Sequence, residues 1–355
     1  MLTERKKILY VVEAMGGGVF TYIVDLANAL ADIYDIYIAY ATRKQTPENY
    51  RDYFDKRIKL IEVKNFCREI KPTKELMAIK EIKKIAGEIK PDVIHLHSSK
   101  AGVIGRIAFN GVDVPLFYTP HGYSFLMKDA GVIKRCIYWG IEKIFANRNC
   151  TIISCSKGEY QESLKLTSNA TYVENAINAE KLKERLKEVK EEKHPFTVFT
   201  LGRICYQKNP AQFNKIAEAM PNIKFMWIGD GELRSELSAP NIEITGWVDR
   251  ETALKRSINA DVFVLTSLWE GLPISLLEAM YMKKLCVVSN VIGNRDVIHN
   301  RKNGYVCNTA EDFVAAIKEN NLEYRKQAYL DLMNHYDTQV QAKRYVEIYN
   351  KRLGQ

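Results

Sequence analysis

Ala260-Asp-Val-Phe-Val-Leu-Thr-Ser267, followed after Leu268-Trp269 by Glu270-Gly-Leu-Pro-Ile-Ser-Leu-Leu-Glu-Ala-Met280, reads as a strand, a short loop and a helix in that order. The first stretch is β-branched and aromatic, the composition of a buried strand. The second opens on a Gly-x-Pro turn and continues as an apolar helical run. Pro273 is expected in the first helical turn, where its missing N–H is no loss. Unbonded backbone N–H groups and the positive end of the helix dipole converge at such a junction and favour an anion. Glu270 falls in the loop and Glu278 about two turns into the helix, so the acids cannot act as one i,i+4 couple. They are expected to touch different parts of one extended ligand that carries both phosphate and hydroxyls.

The same alternation fills the chain, the pattern of parallel α/β layers. Strands are expected at residues 8–12, 36–41, 58–61, 93–96, 116–119 and 151–154, with helices such as 21–31 and 73–89 among them. Residues 181–193 are dominated by charge and hold no sustained apolar face, which marks a boundary. A second alternation follows, with strands at 197–201, 224–228, 242–245, 261–265, 285–288 and 305–307. Its helices are expected at 210–220, 233–237, 250–258 and 274–282. The tail, 338–353, is an amphipathic helix with Val340, Tyr345, Val346, Ile348 and Tyr349 as candidate contacts. Two Rossmann-like domains are expected, 1–180 and 194–337, with a cleft between them. In open parallel sheets ligands lie outside the carboxyl ends of the strands, and domain interfaces favour pockets.

Composition narrows the function classes. The 355 residues are 46% apolar and 27% charged, the profile of a globular protein large enough for two cores. No apolar run approaches the roughly 20 residues that span a bilayer, and the N-terminus leads into a strand without a signal-peptide core. A cytoplasmic location is the expectation. A net charge of +9 is too diffuse for a nucleic-acid binder but suits a diphosphate-bearing substrate or an anionic lipid surface. The seven cysteines show no Cys-x-x-Cys spacing and read as reduced thiols, mostly in the core.

Several further stretches bear chemistry. Gly16-Gly17-Gly18 follows the first strand, and consecutive glycines let backbone approach a ligand closely. A dinucleotide site is disfavoured, because the sixth position of the Gly-x-Gly-x-x-Gly pattern is Thr21. Gly202-Arg203-Ile-Cys-Tyr-Gln-Lys208 follows the strand at 197–201 and sets two cations on one loop at a strand's carboxyl end. A planar fork and a compact ammonium make a diphosphate clamp; a solvated loop is the alternative. His121, between Pro120 and Gly122, is placed to hydrogen-bond a sugar hydroxyl or developing charge, or else is a buried histidine. His95 and His97 share a strand face but lack a third metal ligand. Asp230-Gly-Glu232 reads as a turn. Residues 128–148 mix cations (Lys134, Arg135, Lys143) with Ile133, Ile137, Ile141, Ile144 and Phe145 at helical spacing. A core-facing helix is the expected reading, and an interfacial helix against an anionic membrane surface the second.

Taken together, Gly-Arg-x-x-x-x-Lys208, Gly229-Asp-Gly-Glu-Leu-Arg, Gly246-Trp-Val and Glu270-x7-Glu278 resemble, in type and order, the family-4 retaining glycosyltransferases of the GT-B fold. Gly16–18, the stretch from Asp92 through His97 to Gly105, and Thr119-Pro-His-Gly agree, and the last two resemble bacterial members that build capsule, exopolysaccharide or O-antigen. The resemblance implies that Arg203 and Lys208 hold the diphosphate of a nucleotide-sugar donor. It implies that Glu278 binds the ribose and Glu270 the donor sugar, within the loop Gly271-Leu272-Pro273. Backbone near Gly202 and Val248 would meet phosphate and base. Gly17, with Gly16 and Gly18, would approach phosphate or sugar, and His121 would lie beside the reacting sugar. It also implies retention without cofactor or metal, a glycan acceptor that is lipid-linked, a position on the inner face of the cell membrane, and a C-terminal helix returning to the first domain. Two departures touch the donor-sugar contacts: Tyr281-Met-Lys-Lys-Leu where a small residue, Gly and Pro usually follow, and Gly293-Asn-Arg-Asp296 in place of Gly-Gly-x-x-Glu. The alternatives are an NDP-sugar epimerase on the same scaffold and an inactive nucleotide-binding assembly protein.

Overall fold

A computed structural model describes residues 5–43, 46–67, 71–146, 149–189 and 192–354. Residues 147–148, at the end of the basic-apolar segment, and 190–191, in the charged run, lie outside the described residues. The chain divides into two compact units. One comprises Met1–Leu126, Val132–Asn175 and Thr338–Gln355; the other comprises Met127–Gly131 and Ala176–Asp337. The chain therefore changes unit at residue 175, ahead of the charged run. The helix Ala179–Leu186, which occupies the start of that run, buries Ala179 and Leu182 and belongs to the second unit. Its lysines mark an exposed helix face rather than a linker.

The first unit is built on seven parallel strands: β1 (Lys7–Met15), β2 (Asp35–Thr42), β3 (Lys59–Glu62), β4 (Val93–His97), β5 (Leu116–Thr119), β6 (Cys150–Ser154) and β7 (Ala170–Tyr172). Their order is β3-β2-β1-β4-β5-β6-β7. The three-residue β7 was not foreseen. It is an edge strand, half-buried throughout, and too short for an apolar run. Successive β1 side chains alternate between two cores, as the pleat demands. Ile8, Tyr10 and Val12 join the helix Gly17–Leu30 and the C-terminal helix Thr338–Leu353, while Leu9 and Val11 join the helices Pro72–Ile89 and Ser99–Ala108. The C-terminal helix contributes Ala342, Tyr345 and Tyr349 to the first core, with Val346 and Ile348 packed against it.

In the second unit six parallel strands, β8 (Thr197–Leu201), β9 (Lys224–Ile228), β10 (Ile242–Ile244), β11 (Val262–Leu265), β12 (Leu285–Ser289) and β13 (Tyr305–Cys307), run in the order β10-β9-β8-β11-β12-β13. Phe213, Phe225 and Trp227 pack edge-on at its centre.

Four local expectations are corrected. The helix expected at 233–237 is a single 3-10 turn, Arg234–Glu236, because Gly231 and Pro240 leave no length for an α-helix to propagate. The helix expected at 21–31 begins at Gly17, so Gly17 and Gly18 are its first turn. Pro273 caps its helix in an extended conformation instead of entering it. The helix Val132–Ala146 does not bury its isoleucines: Ile133, Ile137 and Ile144 are exposed. Of the seven cysteines five are buried, Cys67 is half-buried and Cys136 exposed.

Candidate active site

Each sheet reverses its strand order once, between β1 and β4 in the first unit and between β8 and β11 in the second. Strands that diverge at such a point leave a crevice at their carboxyl ends. Gly16–18 follow β1, Gly202 to Lys208 follow β8 and Glu270 follows β11, all at these ends, whereas His121 follows β5, Val248 follows β10 and Glu278 lies within a helix.

In the second unit the loop after β8 starts at Gly202, whose N–H donates to the Ile228 carbonyl at 3.0 Å. The neighbouring loop passes so close that a Cβ on Gly229 would stand 2.2 Å from the Gly202 carbonyl oxygen, which explains the glycine there. Arg203 follows, half-buried, and makes no side-chain hydrogen bond or ion pair with the other described residues. A 3-10 turn, Tyr206–Lys208, then leads into the helix Pro210–Glu218. The Lys208 ammonium contacts Glu270 Oε1 at 2.7 Å, with both side chains largely buried. Ser267 Oγ donates to the same oxygen at 2.7 Å, and Gln207 Nε2 reaches Oε2 at 3.4 Å. The loops are also tied through backbone. Leu268 N–H donates to the Gln207 carbonyl at 2.8 Å, and Thr266 Oγ1 to the Lys208 carbonyl at 2.7 Å. Lys208 is thus held against the β11 loop by its ion pair with Glu270 and by Thr266 on its carbonyl, and does not wave in solvent, as a free clamp loop would.

Gly271 and Leu272 continue that loop to Pro273 and the helix Ile274–Tyr281. Gly293 packs against it; a Cβ there would lie 2.3 Å from the Gly271 carbonyl oxygen. Glu278 is the fifth residue of this helix and only 2% exposed. Arg250 forks onto it, with Nη1 3.2 Å from Oε2 and Nη2 against Oε1. Half-buried Val248 precedes that arginine by two residues, next to Asp249, which caps the helix Arg250–Ile258 by accepting from Thr252 N–H at 2.8 Å. Gln207, Ser267 and Arg250 were not recognised in the sequence. Only their partners' charges, hidden until the strands align, identify them. The Asp230-Gly231-Glu232 stretch is a turn, with Gly231 crossing the Ile204 backbone.

In the first unit Gly16 caps the helix Gly17–Leu30, and Gly17 and Gly18 are exposed, so a side-chain-free helix N-terminus stands at the end of β1. Beside it the buried Glu13 pairs with Arg43. His121 follows β5 with φ 55°, in the left-handed region. Its Nε2 lies 3.1 Å from His97 Nδ1, and the two rings stack at 5.4 Å while Tyr22 meets His121 edge-on at 4.6 Å. Burial pushes its pKa down to about 3, so the ring is neutral near pH 7. His95 and His97 are driven well below the ordinary histidine range by burial first and by neighbouring histidines second. His95 spends both nitrogens on Tyr349 Oη (2.7 Å) and Thr119 Oγ1 (2.9 Å), so these two histidines are packing and positioning groups. The buried Glu159 carboxylate accepts from Gly122 N–H at 2.6 Å and Cys155 N–H at 2.8 Å, fixing the turn that carries His121. Among the described residues no group of three or more His, Cys, Asp or Glu is placed to hold a metal.

Residues 16–181 match the family described as Glycosyltransferase Family 4, and residues 195–320 the one described as Glycosyl transferases group 1. The chain is 32% identical over 299 residues to an Escherichia coli UDP-Gal:alpha-D-GlcNAc-diphosphoundecaprenol alpha-1,3-galactosyltransferase, covering 75% of this chain and 76% of the relative. It is 22% identical to a Campylobacter jejuni N,N'-diacetylbacillosaminyl-diphospho-undecaprenol alpha-1,3-N-acetylgalactosaminyltransferase, over 95% of this chain and 96% of the other. In architecture it superimposes on the sucrose-phosphate synthase of Thermosynechococcus elongatus with a TM-score of 0.83, over 99% of this chain and all of that one, at 16% identity. Two all-parallel sheets, the paired loops at their reversal points and these likenesses converge: the chain belongs to the family-4 glycosyltransferases of the GT-B fold.

Proposed function

We propose that this glycosyltransferase moves galactose or N-acetylgalactosamine from a uridine-diphosphate donor to a glycan on a polyprenyl diphosphate, with retention at the anomeric carbon and without a metal. The observation that carries the reading is the Lys208–Glu270 pair, cross-braced by Ser267 and Gln207 at the carboxyl ends of β8 and β11. The activities of the two relatives support the donor and acceptor classes.

In this reading the bond between the sugar C1 and the diphosphate oxygen breaks, its electron pair staying with the oxygen. The acceptor hydroxyl oxygen bonds C1 on the same face and its proton passes to the departing phosphate. Arg203 and Lys208 stabilise the charge where it develops, Lys208 already oriented by Glu270, as catalysis by preorganised charge requires. Glu270 steers the Lys208 ammonium and accepts from the sugar hydroxyls. Glu278 accepts from the ribose hydroxyls, since a carboxylate forked by one arginine keeps free lone pairs. The backbone of Gly202, Leu272 and Val248 borders the nucleotide. In the first unit the open N–H groups of the Gly16–18 turn favour phosphate or sugar, and neutral His121 offers a sugar-hydroxyl hydrogen bond.

The test is a thermal-shift screen of UDP-, GDP-, ADP- and CMP-sugars followed by transfer to N-acetylglucosaminyl-diphospho-polyprenol. UDP-galactose or UDP-N-acetylgalactosamine should raise the melting temperature by mass action and yield a disaccharide lipid. Conversion of the donor to its epimer without acceptor would replace this reading with an epimerase.

A further inference from the structure

β4 ends on His97, a fully buried histidine, in the middle of the first sheet between β1 and β5. The pleat sets it on the same face as His95, and the two ring centroids lie 4.1 Å apart. Tyr10 of β1 meets it edge-on at 5.1 Å. Packing explains a ring at this place, but not its two nitrogens. Nδ1 lies 3.1 Å from His121 Nε2, while Nε2 is buried and has no hydrogen-bond partner among the described residues. Buried polar atoms without a partner are few, and each calls for a reason. His121, by contrast, is half-buried, and its Nδ1 makes no hydrogen bond to the other described residues. That nitrogen is the one left for a substrate.

Both rings are neutral near pH 7, since burial opposes the charged form. A neutral imidazole carries one N–H and one bare nitrogen, so one of the two facing nitrogens donates and the other accepts. If His121 donated from Nε2, His97 would be bare at Nδ1 and its own proton would sit on Nε2, stranded without an acceptor. His121 would then offer the site only a bare Nδ1. If His97 donates from Nδ1, its unpartnered atom is a bare nitrogen, and His121 carries its proton on Nδ1. Stranded N–H groups are rarer inside proteins than under-used acceptors, which favours the second arrangement. We propose that His97 is a positioning residue: it donates from Nδ1 to His121 Nε2 and so fixes His121 as the Nδ1–H tautomer, which presents a hydrogen-bond donor to a hydroxyl oxygen of the substrate sugar. The hydrogen bond made by one ring nitrogen sets the state of the other. Tyr22, edge-on to His121 at 4.6 Å, and the Gly122 N–H bond to Glu159 keep the ring and its turn in register with His97. The consequence for transfer rests on the reading of His121 as a sugar-binding group; the tautomer itself does not.

The experiment is long-range ¹H–¹⁵N correlation NMR near pH 7 on the full chain labelled at histidine, with His121 and His97 each assigned by the signals lost on substitution. In the wild type His121 should be protonated at Nδ1 and bare at Nε2, and His97 protonated at Nδ1. His97→Phe keeps a ring but removes the donor. It should let His121 shift toward the Nε2–H form and lower kcat by about three- to tenfold, the worth of one hydrogen bond, while nucleoside-diphosphate affinity stays close to wild type. His97→Asn, whose amide can donate from the place of Nδ1, should restore the tautomer and most of kcat. A His97 that only fills space would lose stability in both variants without moving the His121 signals. His121 protonated at Nε2 in the wild type would overturn the proposal, and so would a His121 tautomer that His97→Phe leaves unchanged. Should His97→Phe fail to fold, the wild-type and His97→Asn spectra still decide. The expected tautomers together with full transfer activity in His121→Asn would uphold the His97–His121 arrangement and reject the functional reading of His121.

Discussion

Removing Lys208 and removing Arg203 should slow the enzyme alike but affect its stability differently. The Lys208 side chain is 16% exposed and that of Glu270 8%, at 2.7 Å. Losing one partner of a buried pair costs roughly 3–5 kcal/mol, because the other charge is left without compensation. Ser267 and Gln207 still donate to Glu270, which reduces the loss to about 2–3 kcal/mol. For a unit of this size that is a fall of about 4–12 °C in the second unit's melting temperature. Arg203 has no ion pair or side-chain hydrogen bond among the described residues, so Arg203→Ala should stay within about 0.5 kcal/mol of wild type. Both substitutions remove a cation aimed at the leaving diphosphate, and each should lower kcat/KM by about 10²–10³. Arg203→Lys should rescue only in part, because the planar fork is gone. Lys208→Met combined with Glu270→Gln should regain stability without regaining activity, since both charges leave together. Differential scanning calorimetry and released-nucleotide kinetics on the four variants decide the matter. An unchanged melt with near-wild-type turnover in Lys208→Ala would refute the reasoning, as would an Arg203→Ala as unstable as Lys208→Ala.

Glu278→Gln should weaken nucleoside-diphosphate binding in calorimetry, while Glu270→Gln should leave it close to wild type and lower kcat; equal losses would mean the roles are wrongly divided. Transfer should survive EDTA, and the product should keep the donor's anomeric configuration by NMR; restoration by Mg²⁺ or inversion would count against the mechanism. The neutral histidines of the first unit should make it acid-sensitive. His121 falls to about 3 from the ordinary 6.5, so between those values the unfolded chain binds more protons and stability is lost as pH falls through the window. His121→Asn, which tolerates the left-handed backbone, should flatten part of that loss in melts taken from pH 7 to pH 4 and should lower transfer at pH 7. A pH–rate profile with an ionisation near 6.5 that disappears in His121→Asn would contradict the neutral ring.

Much of this was legible in the one-dimensional pattern, for local reasons. A parallel strand buried on both faces must be an apolar β-branched run, and helices between such runs must carry a 3.6-residue stripe. All but one of the strands, the two-unit alternation and the motif residues of the β8 and β11 loops therefore stood out, and so did the tail helix 338–353. Short elements did not: β7 has three residues, and a five-residue helical pattern at 233–237 lacked the length to become more than a 3-10 turn. Helical periodicity locates a stripe, yet it is silent on which way the stripe faces.

What required the tertiary structure was pairing at a distance. Lys208 lies 62 positions from Glu270, and Arg250 lies 28 from Glu278. No local rule joins them, because their meeting depends on β8 and β11 becoming neighbours while β9 and β10 pass to the other side. The histidine column depends likewise on β4, β5 and the C-terminal helix sharing one face of the sheet. Sequence by itself settled which of the longer segments become strands and helices, since that is decided by each segment's own side chains and backbone. Only the folded sheet settled which charges lie buried against each other and which apolar stripe stays in water, since those follow from strand order and from what already occupies the space beneath each helix.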